Sequence, residues 1–127
     1  MVKVVVAALI ERKGEFLLCQ RRETDKFGGF WEFPGGSIEE SETCESAIQR
    51  EIKEEVNLDI AVDRKLAEFY DESENQKIKV FLFRCSIKGG LALAKECKDC
   101  GFFSLREIPN LHLAPVDKKI FSFLKSL

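Results

Sequence analysis

Residues 36–58 read GSIEESETCESAIQREIKEEVNL, and the last third of this stretch decides the fold. Glu51, Glu54 and Glu55 recur at i, i+3 and i+4. On a helix that spacing sets three carboxylates along one face. Like charges so placed repel, and each raises the pKa of the others. A cation among them removes the cost. Hard divalent ions such as Mg²⁺ take oxygen ligands and are often bound together with substrate phosphates. The stretch therefore points to metal-assisted chemistry on a phosphorylated substrate.

The sequence around the acids supports a helix. Thr43 is a suitable N-cap, and Glu45 favours the positive end that follows it. Cys44, Ala47, Ile48 and Ile52 make an apolar stripe ending near Val56. Asn57 can take the left-handed conformation that closes a helix.

Working outward, Val2–Glu11 is apolar on both faces and reads as a buried strand. Lys13-Gly14 makes a turn into a second strand, Glu15–Arg21. Thr24–Phe30 is a loop, and Trp31–Phe33 is extended because Pro34 disfavours helix before it. Beyond the helix, Leu58–Asp71 holds strand material and 72–77 is a polar turn. Ile78–Ile87 is a strong strand, broken by Gly89-Gly90. Leu91–Cys100 reads as a mobile, partly charged connector, and Gly101–Leu105 returns to strand. Pro115 opens a last helix whose buried stripe is Val116, Ile120, Phe123, Leu124 and Leu127. Strands flanking two helices give a mixed α/β sandwich.

The chain has 127 residues, 45% hydrophobic and 33% charged, with a formal net charge of −2. That suits one soluble domain, 1–127, with a real core. The mixed charge argues against a nucleic-acid polymer as partner. No stretch approaches the ~20 apolar residues of a membrane span. Five cysteines, an odd number, and an early charged residue at the N-terminus point to free thiols in a reducing cytoplasm. Cys97-Lys98-Asp99-Cys100 is a lone CxxC without a second pair for zinc. His112 has no partner in the pattern.

The full spacing is Gly36, five residues, Glu42, seven residues, then Arg50-Glu51-Ile52, Lys53, Glu54-Glu55, Val56, Asn57 and Leu58. This resembles the Nudix box, the loop–helix–loop signature of the Nudix hydrolases. The one departure is Asn57, where the family usually has glycine. The resemblance implies a Nudix fold, an α/β/α sandwich with a mixed central sheet. It implies Mg²⁺, or Mn²⁺, held by Glu51, Glu54, Glu55 and the Gly36 carbonyl. Arg50 would orient the glutamates, and Glu42 would support the loop or the outer metal shell.

Val4–Leu9, Arg21-Arg22 and Trp31-Glu32-Phe33-Pro34-Gly35-Gly36 are similar to the MutT branch, whose members hydrolyse oxidised purine triphosphates such as 8-oxo-dGTP to monophosphate and pyrophosphate. By that resemblance Arg22 contacts substrate, Phe33 walls the base pocket and Glu96 adds a metal-binding or water-activating carboxylate. Asp117 stands where the branch carries a base-reading residue. An ionised aspartate accepts but cannot donate, which leaves cytosine or modified pyrimidine nucleotides as alternatives to 8-oxoguanine. Phe33 equally fits the core, and Asp117 equally fits the start of a helix. ADP-ribose members usually carry a proline soon after the box. The prolines here are Pro34, Pro109 and Pro115, which speaks against that branch. A non-catalytic nucleotide-binding module is the remaining rival. A monomer or homodimer is expected.

Overall fold

The computed structural model describes residues 2–73 and 75–127. Part of the expected polar turn at 72–77 therefore lies outside the described residues. Strand β1 (Val2–Arg12) turns into β2 (Glu15–Gln20) through Lys13 and Gly14, at φ 52° and 80°. Two successive positive φ values make the tight hairpin turn that matches strand twist.

β1 is the centre of the molecule. Val2–Ile10 pairs in parallel with Lys77–Cys85 of β6 (Gln76–Gly90). On its other side, Val5–Ala7 pairs antiparallel with β4 (Gly35–Ser37). β5 (Leu58–Ser73) lies antiparallel to β6 at the edge. Past the hairpin, β2 pairs with β3 (Trp31–Glu32) and with β7 (Asp99–Ser104). The result is a mixed seven-stranded sheet.

Strand alternation then sorts the core into two layers. Val6, Ala8 and Ile10 face α1 (Cys44–Val56), against Ala47, Ile48, Ile52 and Val56. Ala7 and Leu9 face α2 (Pro115–Lys125), against Ile120, Phe121 and Leu124. One helix covers each face, which is the expected α/β/α arrangement.

Helix α1 is closed at both ends as its sequence implies. Thr43 Oγ1 accepts from the Ser46 N–H at 3.0 Å, and Ser46 Oγ accepts from the Thr43 N–H at 3.1 Å. This reciprocal capping box satisfies two free donors. Asn57 ends the helix at φ 64° and donates its N–H to the Lys53 carbonyl.

Three expectations need correction. The 91–98 connector is tied down: the Leu93 N–H donates to Val56 O at 3.0 Å and the Lys95 N–H to Glu55 O at 2.9 Å. It thereby satisfies carbonyls that a helix end leaves open. Gly89-Gly90 does not break β6, because both stay paired with Asp59 and Leu58 of β5. A Cβ on Gly90 would sit 2.6 Å from the Asn57 carbonyl oxygen, so the glycine permits a close approach. Leu127 is exposed, since α2 ends at Lys125, and Phe121 takes a place in the stripe instead.

Candidate active site

Arg50 organises the acidic helix face. Its Nε and one terminal nitrogen donate to both Glu42 carboxylate oxygens at 2.7 and 2.8 Å. That second nitrogen also donates to the Ser37 carbonyl at 3.1 Å. Its other terminal nitrogen donates to Glu51 Oε1 and Glu54 Oε1, each at 2.9 Å. The bidentate pair is the strong kind of charge-assisted contact, and it holds Glu42 down at about 2. Glu42 also accepts from the Glu39 N–H at 2.8 Å, so it braces the loop before the helix.

Two glycines let the loop lie on this face. A Cβ on Gly36 would meet the Glu51 carboxylate at 2.4 Å. A Cβ on Gly35 would meet the Val6 carbonyl oxygen at 2.0 Å. The Gly35 N–H donates to Glu55 Oε1 at 3.0 Å. Burial, and then the charge of Glu32, pushes the Glu55 carboxyl up to about 9. Burial also raises Glu51, with Glu54 and Glu96 adding to the rise against the pull of Arg50. Glu96 is exposed on the connector, and its N–H donates to the Glu55 carbonyl at 3.4 Å.

A cavity of about 430 Å³ opens beside this cluster. Gly36 and Glu51 line one part of it, and Arg21, Glu32, Phe33 and Asp117 line another. Phe33 is nearly fully buried and still forms cavity wall. Its N–H donates to Asp117 Oδ1 at 2.9 Å, joining the strand before the box to the first turn of α2. Asp117 is 4% exposed, the one charged residue counted in the core among the described residues. Burial and the neighbouring Glu32 raise its carboxyl well above the ordinary value, against the Phe33 N–H and Arg21.

Of the two arginines, Arg21 and not Arg22 lines the cavity. Its guanidinium pairs with Glu32 at 2.9 Å and lines the cavity. Arg22 is exposed, reaches Asp25 at 3.4 Å and does not line it. The strand ends at Gln20, and a turn closed by the Asp25 N–H on the Arg22 carbonyl sends Arg22 outward. Sequence reasoning also assigned no role to Glu32. Its signal was strand alternation, which turns Trp31 toward Phe103 and leaves Glu32 for the opposite side. His112 is exposed and stacks on Phe30 at 3.9 Å, consistent with a structural part.

The raised Asp117 carboxyl carries a stability prediction. A group whose pKa is higher in the folded state contributes most below its unfolded value, and that contribution is lost as pH rises through the folded value. Asn at 117 keeps an oxygen for the Phe33 N–H but has no charge to bury. Urea midpoints of Asp117→Asn and wild type should therefore separate in favour of the variant as pH climbs from the ordinary carboxylate range. Parallel pH curves would count against a buried, raised Asp117.

The donor set suits a hard divalent cation. Glu51, Glu54, Glu55 and the Gly36 carbonyl all offer oxygen, and Gly36 lacks the side chain that would fill the space against Glu51. Among the described residues no three His, Cys, Asp or Glu close on one point, and Arg50 holds one oxygen each of Glu51 and Glu54.

Comparison with known proteins agrees with this geometry. The family described as NUDIX domain matches residues 1–124. The CTP pyrophosphohydrolase of Escherichia coli (strain K12) is 34% identical over 113 residues, spanning 89% of this chain and 84% of its own. An 8-oxo-dGTP diphosphatase of Proteus vulgaris is 37% identical over 57 residues, 45% of this chain and 51% of its own. The solution structure of the E. coli ORF135 protein superposes with a TM-score of 0.85 at 30% identity, covering 99% of this chain and 90% of that one. With a family match along nearly its whole length and the acidic helix, Arg50 and the Gly35-Gly36 loop assembled against it, this chain belongs to the Nudix hydrolases.

Proposed function

We propose that this Nudix hydrolase is a single-domain, Mg²⁺-dependent nucleoside triphosphate pyrophosphohydrolase of the MutT type. It releases the monophosphate and pyrophosphate and removes damaged or unwanted nucleotides from the pool. One observation carries the reading: a single cavity joins Glu51 and Gly36 of the acidic cluster to the Phe33–Asp117 pair. The first supplies a phosphate end, the second a base end.

Glu51, Glu54, Glu55 and the Gly36 carbonyl hold the cation, with Glu96 reaching in from the connector. A bound divalent ion neutralises phosphate oxygens, orders an attacking water and lowers its pKa. The chain's own work is orientation: Arg50 sets Glu51 and Glu54, and Gly35 sets Glu55 through its N–H. Arg21 brings positive charge to the cleft.

At the base end, Asp117 spends one oxygen on the Phe33 N–H. Burial favours the neutral form of this carboxyl, and its other oxygen is left for a base edge. Asp117 and Glu32 line the same cavity and offer polar groups to the edge of an oxidised purine such as that of 8-oxo-dGTP. The similarity to a CTP pyrophosphohydrolase along 89% of the chain favours a second reading, in which the base is cytosine or a modified pyrimidine.

The deciding measurement is kcat/KM and product identity with Mg²⁺ for CTP, dCTP, dGTP, 8-oxo-dGTP and ADP-ribose. A monophosphate and pyrophosphate are expected, with a preference of at least about tenfold for one base, since a site that hydrogen-bonds its substrate rejects analogues strongly. A ratio near unity between 8-oxo-dGTP and dGTP would sink the oxidised-purine role. Absence of any nucleotide turnover would sink the enzyme reading.

A further inference from the structure

Three cysteines lie in one part of the α1-side core, where the 91–98 connector passes the end of α1 and enters β7. Cys19 is fully buried on β2. Cys100 stands directly across from it on β7, in register. Cys97 lies on the connector, packed against the cluster that holds Cys19, and the next N–H, that of Lys98, donates to the Gln20 carbonyl at 2.9 Å, which brings the connector alongside the end of β2. The Cys97 Sγ also donates to the Glu55 carbonyl at 3.7 Å. Cys97 is half-buried and so within reach of a small solute, whereas Cys19 is not. Cys44 and Cys85, the remaining thiols, are elsewhere in the α1-side core.

We propose that Cys19 and Cys97 are an oxidisable pair that a hydroperoxide converts to an intramolecular disulfide, locking the connector to β2 and slowing catalysis. The steps balance with hydrogen peroxide as oxidant. Cys97 sulfur attacks the peroxide oxygen, giving a sulfenic acid and one water. Cys19 sulfur attacks that sulfenic sulfur, and the sulfenic OH leaves with the Cys19 proton as a second water. The two thiols lose two electrons and the peroxide gains them. Exposure fixes the order, with Cys97 reacting first and Cys19 resolving it.

The consequence follows from what Cys97 touches. Forming the bond removes the Cys97 contact to the Glu55 carbonyl, on the last turn of α1. It also pulls on the adjacent Glu96, whose backbone lies on that same carbonyl and whose charge reaches Glu51. The loss of turnover rests on the hydrolase reading above; the cross-link itself does not.

The test uses the full chain treated with peroxide, alkylated and digested with trypsin without reduction. Arg21, Lys95 and Lys98 place Cys19, Cys97 and Cys100 on separate peptides. A Cys19–Cys97 cross-linked peptide that disappears on reduction is expected, and it should be absent from Cys97→Ser and present in Cys100→Ser. Full alkylation of Cys19 and Cys97 after peroxide, or cross-links only between other thiols, would overturn the pair. Nucleotide turnover should fall by roughly tenfold and return with reductant, below the about hundredfold that a 1 Å misplacement can cost. A complete cross-link with unchanged turnover, in protein whose reduced form hydrolyses nucleotide, would overturn the link to catalysis.

Discussion

Glu54→Gln is expected to lower kcat/KM for the preferred nucleoside triphosphate by at least about a hundredfold, the lower end of what a positioned catalytic carboxylate contributes. Stability should stay within about 1 kcal/mol, because an ion pair this open to solvent is worth little. Glu54 is 43% exposed, and Arg50 keeps Glu42 and Glu51 as partners when the Glu54 charge is removed. The amide preserves size and can still accept from Arg50, so what it removes is negative charge at the proposed cation site. Glu39→Gln is the matched control. Glu39 is also acidic and also near Arg50, at 3.7 Å, but it is 68% exposed and lies outside the helix face. It should leave turnover within about twofold, as surface changes remote from a site do. Both variants are compared by unfolding midpoint and by Mg²⁺-dependent turnover. If Glu54→Gln turns over like Glu39→Gln, the cation is not held on this face.

The helix and its acids were legible because their signals are local. A cap at Thr43, a stripe through Ile48 and Ile52 and a left-handed residue at Asn57 all fall within one stretch. The strand pairing of β1 was less so. Its apolar character on both faces announced burial, but only the packed sheet decides that even positions meet α1 and odd positions α2. The base end was partly hidden. Phe33 and Asp117 were named separately, yet they are 84 positions apart and act as a pair through one hydrogen bond. Arg21 and Arg22 could not be ordered by alternation, because the strand stops at Gln20 and a turn follows. Glu32 was hidden for another reason. Its significance comes from burial beside Asp117 and Arg21, which no spacing in the sequence expresses.

Gly35→Ala is expected to cost about 3 kcal/mol or more, at the upper end of overpacking changes. Against a total stability of about 5–15 kcal/mol, that is a large share. The added Cβ would lie 2.0 Å from the Val6 carbonyl oxygen and 2.8 Å from Ala7 Cα. Both are backbone atoms of the central strand, so neither can rotate away. Relief requires β4 to leave β1, which gives up the Val5–Ala7 pairing and strains the neighbouring bond from the Ala8 N–H to the Pro34 carbonyl. Gly36→Ala, one residue on, has a different outcome because its obstacle is different. The new Cβ would meet the Glu51 carboxylate at 2.4 Å, the far end of a flexible side chain. Glu51 can swing aside, so the fold should persist while the acid face is disordered and turnover falls. Gly14→Ala separates strain from crowding. Nothing lies within 4 Å of its added Cβ, and only φ +80° opposes it, at a cost of about 1 kcal/mol. Urea unfolding and Mg²⁺-dependent turnover on the three variants should thus split cleanly: Gly35→Ala loses the fold, Gly36→Ala loses the chemistry, and Gly14→Ala keeps most of both. A folded, fully active Gly35→Ala would mean that β4 does not rest on β1 as described, and the strand that carries Gly36 would have to be placed anew.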